Sequence, residues 1–261
     1  MPERDYIKFL GTAGARVMTA RQLRATGGVW YSLQGFQLLL DPGPGSLVRC
    51  AASRPRLDPL TLDALVLSHN HLDHSGDVNV MIEALTDGGF RRRHGRVFCP
   101  REALEDDPVV LRYLRGWVQE FVRLEEGGSY HLSPGLEMRT PIRHRHPAET
   151  YGLVFRTPSL TLGHIADTLY FPELEEAYAG CQVLVLHVVR LRKDEKDTRD
   201  IQHLTLDDAR RLITAIHPRV AILTHFGMTM HRAQPWELAR QLSDETGVEV
   251  HAARDGMKFE L

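Results

Sequence analysis

Ala64-Leu65-Val66-Leu67-Ser68-His69-Asn70-His71-Leu72-Asp73-His74 reads as a short buried strand running directly into four metal-ligand side chains. Four such groups within residues 69–74 do not fit the solvated face of a regular element. They fit a loop at a strand end, where side chains can converge on a point. His69 and His71, two apart, project to the same side of an extended segment, whereas Asp73 and His74 need the turn that follows. Imidazole suits zinc, iron and manganese, and a carboxylate adds a harder, charged donor. The competing reading is a chance cluster of histidines in a solvated loop, and the apolar strand immediately before it weighs against that.

One loop cannot complete two coordination shells, so further ligands have to come from elsewhere. Three candidates follow or lie within strand-like segments: His146 in Arg143-His144-Arg145-His146-Pro147, Asp167 in Gly163-His164-Ile165-Ala166-Asp167-Thr168, and His225 in Ile222-Leu223-Thr224-His225-Phe226-Gly227. Each has a plain structural alternative when taken alone: a loop histidine, a turn former, a strand-end residue bonded to backbone. The chain holds 14 histidines. Several sit beside apolar runs rather than in one tract, which favours the ligand reading.

Around this cluster the chain reads as one α/β domain over 1–261, with a helical insertion near 101–126. Strands are expected at 6–10, at 29–33 and 36–40 (a hairpin across Gln34-Gly35), and at 64–67, 97–99, 136–139, 151–156, 160–162, 169–171, 182–189, 220–223, 248–251 and 257–260. Helices are expected at 78–85, 207–216 and 235–246. A helix is also expected over 108–124, where Val110, Leu114, Trp117 and Phe121 recur on one face. That face is read as core, with a lid or a dimer face as alternatives. Two sheets faced by outer helices suit this order, and periodicity leaves the topology open.

The formal net charge of −2 gives no overall bias toward nucleic acid or an anionic membrane. Arg91-Arg92-Arg93-His94-Gly95-Arg96 is a local basic loop, read as a solvated face with phosphate binding as the alternative. Cys50, Cys99 and Cys181 form no CxxC pair, which fits a reducing compartment and argues against a disulfide framework or a thiolate zinc site. The first residues are too charged for a signal peptide, and no stretch reaches the roughly 20 apolar residues of a membrane span. A cytoplasmic protein is expected.

The run SHNHLDH, followed in order by HPAETYG (146–152), IADT (165–168) and LTHFG (223–227), resembles the metallo-β-lactamase superfamily. Within it the chain is similar to the ribonuclease Z-like branch, through FLGTAGA at 9–15 and LLLDPGPG at 38–45. ILTHFGM at 222–228 and ARDGM at 253–257 also resemble archaeal and bacterial metal-dependent hydrolases. The resemblance covers nearly the whole chain and is specific for fold and metal site, not for substrate. It implies an αββα four-layer sandwich with two divalent metal ions where the loops of the two sheets meet. Zinc ranks ahead of manganese and iron. His69, His71 and His146 would hold the first ion, Asp73, His74 and His225 the second, and Asp167 would bridge both. His144 competes with His146, which is preferred for its spacing to Tyr151-Gly152.

The same resemblance implies hydrolysis, most directly of a phosphodiester, by a water shared between the two ions and brought to a pKa near about 7. Asp73 would orient that nucleophile. His203, in a His-x-Thr element, would assist the leaving group, and Thr205 is expected to cap the helix after it. Asp41 either braces a ligand histidine or shapes the Pro-Gly turn, and Ser68 and Thr224 tune backbone geometry. His187, where the branch carries an acidic residue, is read as a core or supporting histidine rather than a ligand. The expected substrate is a small or nucleotide-like molecule. Nucleic acid and a homodimer are left open, and no membrane partner is expected. No basic Gly/Pro-rich hairpin arm stands out, which speaks against transfer-RNA processing. Hydrolysis of a carboxylic ester, lactone or thioester is the alternative. A diiron redox protein is a remote one, because His71 stands where those proteins carry a carboxylate.

Overall fold

The computed structural model describes residues 4–106, 108–193 and 202–261. The chain divides into two compact units, each built on a seven-stranded mixed sheet. The first comprises Met1–Thr12, Gln22–Leu124 and Arg254–Leu261, and the second Ala13–Arg21 and Glu125–Ala253. Helix α1 (Ala15–Arg21) thus belongs to the second unit.

In the first unit the sheet contains β1 (Tyr6–Phe9), β2 (Val29–Leu33), β3 (Phe36–Leu40), β4 (Ala64–Val66), β5 (Arg96–Cys99), β6 (Glu120–Arg123) and β14 (Lys258–Glu260), in the order β14-β1-β2-β3-β4-β5-β6. The β2–β3 hairpin forms as the sequence predicts. Gln34 and Gly35 both take positive φ, 52° and 80°, the tight turn whose twist matches its strands. From β3 to β6 the strands run parallel. Helix α2 (Ser46–Ala52) crosses from β3 to β4, and the single turn α3 (Leu72–Ser75) with α4 (Val78–Leu85) crosses from β4 to β5. Val78, Met81, Ile82 and Leu85 of α4 pack with Leu39, Leu65 and Val97 in this unit's core.

The expected helix over 108–124 does not form. A 3-10 turn spans Arg112–Gly116 and the chain then enters β6, paired with β5 from Arg96↔Glu120 to Cys99↔Arg123. The rest of the expected helical insertion adds only a 3-10 turn at Arg101–Ala103, and residue 107 lies outside the described residues. The apolar spacing is genuine, since Val110, Leu114 and Val118 are buried in the first core. Gly116 weakens a helix, however, and Val118, Phe121 and Val122 favour an extended chain that meets an open strand edge, so tertiary pairing overrides the local pattern.

The second unit orders its strands β13-β12-β11-β10-β9-β8-β7, from β7 (Gly128–Ser133), β8 (Leu136–Thr140), β9 (Leu153–Arg156), β10 (Thr161–Ile165), β11 (Val183–His187), β12 (Val220–Thr224) and β13 (Glu249–Ala252). Strands β10 to β13 are parallel. β11 is buried at every position, as expected of a central parallel strand with both faces covered. Helices α5 (Glu173–Ala177), α6 (Leu206–Ile216), α7 (Met228–Arg232) and α8 (Pro235–Thr246) complete the unit. Leu212, Ile213, Leu242 and Leu184 lie in its core, and each such burial contributes on the order of 2 kcal/mol. The strand expected at 169–171 is absent. Leu169 N–H bonds instead to the Arg145 carbonyl, and Pro172 follows to start α5. Among the described residues no helix is long and apolar enough to cross a membrane.

Thr205 begins α6 with a reciprocal cap. Its hydroxyl accepts from the Asp208 N–H at 3.2 Å, while its own N–H donates to Asp208 Oδ2 at 2.9 Å. Thr205→Ala is therefore expected to lower the free energy of urea unfolding by about 1 kcal/mol, and Thr205→Ser to retain most of it. An unchanged unfolding midpoint in the alanine variant would contradict this role.

Candidate metal centre

In both units most histidine and aspartate candidates lie at the carboxyl ends of parallel strands, where open α/β sheets gather ligand-binding side chains, whereas His146 lies between β8 and β9 and His203 just before α6. Strand geometry alternates side chains until the strand ends, and the loop beyond is free to converge.

In the first unit the arrangement starts from Asp41, the residue after β3. It is buried and sits in the left-handed region at φ 52°, which aspartate tolerates better than most residues. Its N–H donates to the Val66 carbonyl at 2.8 Å and its carbonyl accepts from Gly43 N–H at 2.6 Å. The carboxylate accepts three hydrogen bonds: from Ser68 N–H (2.6 Å), Ser68 Oγ (2.7 Å) and His74 Nδ1 (2.9 Å). Ser68 has a single hydroxyl proton, spent on Asp41, so at 2.9 Å its oxygen accepts from His69 Nδ1. The network thus assigns both rings the Nδ1–H tautomer, leaving the lone pair on Nε2 of His69 and His74. His71 Nδ1 lies 3.1 Å from His69 Nε2. Two imidazole nitrogens held tetrahedrally by one zinc ion lie about 3.3 Å apart, so this spacing fits a shared cation. Asp73 and His74 ride on the single turn α3, with His74 Nε2 3.7 Å from Asp73 Oδ2. A Cβ on Gly43 would strike the Asp73 and Thr26 carbonyls, so the Pro-Gly turn lets α3 approach closely.

In the second unit the focus is Asp167, two residues beyond β10 and buried. Its Oδ1 lies 3.0 Å from His187 Nδ1 and 3.4 Å from His225 Nε2, and its Oδ2 lies 3.4 Å from His203 Nδ1. Asp167, His187 and His225 each offer a ligand atom, all within 4.8 Å of one another. His225 follows β12 at φ 58°, and a Cβ on Gly14 would meet its carbonyl and ring, which explains a glycine there. His146 Nδ1 donates to the Gln202 carbonyl at 3.0 Å, so its lone pair too is on Nε2. His146 and His203 rings lie 5.1 Å apart.

His144 is engaged elsewhere through one ring nitrogen. Its Nε2 meets Tyr178 Oη at 2.9 Å. Burial pushes its pKa down to about 4, outweighing the backbone of Asp167 and Ala166 and the charge of Asp167, while burial drives the Tyr178 phenol well up. The pair is a neutral hydrogen-bonded unit at pH 7, with Gly152 leaving room for both rings. In the basic loop, Arg92 lies over the Trp117 ring and Arg96 over Phe98, so these two guanidinium groups pack on the fold.

Sequence reasoning missed His164, whose Nε2 lies 3.0 Å from His187 Nε2, along with the Gln202 carbonyl and the glycines at 14 and 43. The signal available for His164 was a histidine inside an apolar strand, three residues before a candidate ligand.

A family model described as a beta-lactamase superfamily domain matches residues 37–226. The chain belongs to the beta-lactamase superfamily. The matched span of this superfamily domain contains every ligand candidate named above. An uncharacterized protein of Methanocaldococcus jannaschii, MJ1374, is 32% identical over 262 residues, covering 98% of this chain and 94% of that protein. Two solved structures resemble the chain in fold. The metallo-beta-lactamase fold protein YhfI from Bacillus subtilis has a TM-score of 0.79 at 19% identity, covering 99% of this chain and all of that one. A diphosphatase of the PhnP family has a TM-score of 0.70 at 19% identity, covering 99% and 98%. These likenesses show the expected αββα metallo-β-lactamase fold, and superfamily membership together with the His/Asp donors points to divalent metal ions.

Asp41→Asn leaves one accepting oxygen where Ser68 and His74 need two. It is expected to weaken zinc binding about 10- to 100-fold in competition with a chromophoric chelator, with an unchanged circular dichroism spectrum. Wild-type affinity in this variant would remove Asp41 from the role of orienting the ligands.

Proposed function

We propose that the protein is a two-metal phosphodiesterase acting on a small or nucleotide-like diester. The observation that carries this reading is the donor set: His69, His74 and His146 each spend Nδ1–H on a fixed acceptor and keep an Nε2 lone pair, alongside the carboxylates of Asp73 and Asp167. Such mixed nitrogen and oxygen donors carrying two negative charges suit divalent transition ions, with zinc ahead of manganese and iron. The ribonuclease Z-like resemblance supports giving one ion His69, His71 and His146, the other Asp73, His74 and His225, and both Asp167. Bound divalent ions would supply Lewis acidity at a phosphoryl oxygen and a water of pKa near about 7.

The remaining tasks fall to side chains. Asp73 accepts a hydrogen bond from the attacking water and sets its direction. His203 exchanges a proton with the leaving oxygen: Asp167 Oδ2 faces its Nδ1 at 3.4 Å, leaving Nε2 for the substrate side, and the side chain keeps 14% of its exposure. The loop that carries it is tied down on its far side, since Arg190 N–H donates to the Leu204 carbonyl and Leu206 N–H to the Arg190 carbonyl. The PhnP-family diphosphatase, which shares the fold, lends support to phosphoryl chemistry on this scaffold.

The test is hydrolysis of bis-p-nitrophenyl phosphate by protein reconstituted separately with zinc, manganese or iron. Turnover is expected, lost on chelation and restored by metal. It should be abolished by Asp167→Ala and reduced about 100- to 10,000-fold by His203→Ala. Two ions per chain with turnover of p-nitrophenyl acetate or a lactone, and none of the diester, would transfer the activity to carboxylic esters, lactones or thioesters. A chain that binds no metal would overturn the reading.

A further inference from the structure

We propose that His187 and His164 are positioning residues: a buried imidazole relay on adjacent strands that fixes the orientation of the Asp167 carboxylate. This rests on the reading of Asp167 as a metal ligand.

The relay follows from strand register. β10 and β11 are parallel, with His164 paired to Val185, and His187 stands two residues further on, on the same face as Val185. The two histidines are therefore diagonal neighbours, and their Nε2 atoms meet at 3.0 Å. His187 Nδ1 reaches Asp167 Oδ1 at 3.0 Å. Both rings and the carboxylate are buried. On the next strand His187 pairs with Thr224, and its ring stacks on His225 with centroids 4.3 Å apart and planes 13° from parallel. That stack restrains the plane of the His187 ring.

Proton accounting then gives the relay a direction. A carboxylate can only accept, so His187 Nδ1 carries the hydrogen that faces Asp167. The Nε2–Nε2 contact accommodates one hydrogen. In neutral His187 the Nε2 is the acceptor, so His164 Nε2–H donates to it. The chain of donation runs from His164 through His187 to Asp167 Oδ1. A ring used in this way has no lone pair to offer an ion, which separates His187 from the ligands although it lies among them. Its N–H pins Oδ1, so Oδ2 is the oxygen left toward His203, 3.4 Å away. That donor opposes rotation of the carboxylate about its χ2.

The substitutions distinguish a donor from a filler of space. Asn at position 187 keeps an N–H close to the original Nδ1 but has nothing at the Nε2 position, whereas Leu removes both. With the full chain and zinc as the probe, stoichiometry and affinity are measured by chelator competition, and cobalt(II) spectra report on ligand geometry. His187→Leu is expected to weaken the weaker of the two sites about 10- to 100-fold and to alter the cobalt spectrum, and His187→Asn to stay within a few-fold of wild type. His164→Phe is expected to weaken the site in the wild-type background and to have no further effect in His187→Asn. Equal losses in Asn and Leu, wild-type affinity in both His187→Leu and His164→Phe, or an undiminished effect of His164→Phe on His187→Asn would overturn the relay. If His187→Leu does not fold, the comparison of His164→Phe in the two remaining backgrounds decides. Asp167→Ala serves as the separate control: full affinity for two zinc ions in that variant would sink the ligand role of Asp167 itself, and the relay with it.

Discussion

The first unit's donor geometry hangs on one buried carboxylate. Burying Asp41 without partners would cost several kcal/mol, and three hydrogen bonds offset that cost. Two come from one residue, so Ser68 is clamped through both its backbone and its hydroxyl. The clamp consumes the only hydroxyl proton of Ser68, which obliges His69 to donate to Ser68 Oγ. The third bond does the same for His74 directly. One side chain at the end of β3 thereby sets the tautomer of two histidines that are far from it in sequence, through a proton balance with no slack.

That position is available because of the sheet. β3 and β4 run parallel in register from Leu38↔Ala64 to Leu40↔Val66, so Asp41 and Ser68 leave the sheet side by side. The backbone then has to turn sharply. Asp41 accepts a positive φ, and Gly43 removes the Cβ that would collide with the Asp73 carbonyl. The second unit repeats the pattern at β10, β11 and β12, whose ends deliver Asp167, His187 and His225. Gly14 yields the space that His225 needs.

What could be read from the sequence was what is encoded locally. The candidate run 69–74 stands out because its spacing and the apolar strand before it are contiguous. The Gln34-Gly35 turn, α4, α8 and the Thr205 cap likewise depend on residues close in sequence. The helix expected over 108–124 failed for the opposite reason. Val110, Leu114 and Val118 are buried as a helical stripe would be, but the deciding partner is the open edge of β5, which no local pattern reveals. His164 escaped notice because a histidine in an apolar strand is ordinary until the register of β10 against β11 is known. The partner of His146 is a backbone carbonyl at residue 202, and a carbonyl leaves no mark in the identity of a residue.

The two units solve the same problem with the roles exchanged. In the first an aspartate orients histidines; in the second histidines surround an aspartate. The difference has a physical consequence. Asp41 holds its partners through three short bonds, one to backbone and two to side chains, so rotation of the carboxylate would break all of them together. Asp167 lies 3.0 Å from His187 and 3.4 Å from both His225 and His203. The looser spacing around Asp167 suits the proposed sharing of its carboxylate between two cations. The stacking of His187 on His225 then matters more than its modest energy suggests, because it restrains the one ring on which that close contact depends.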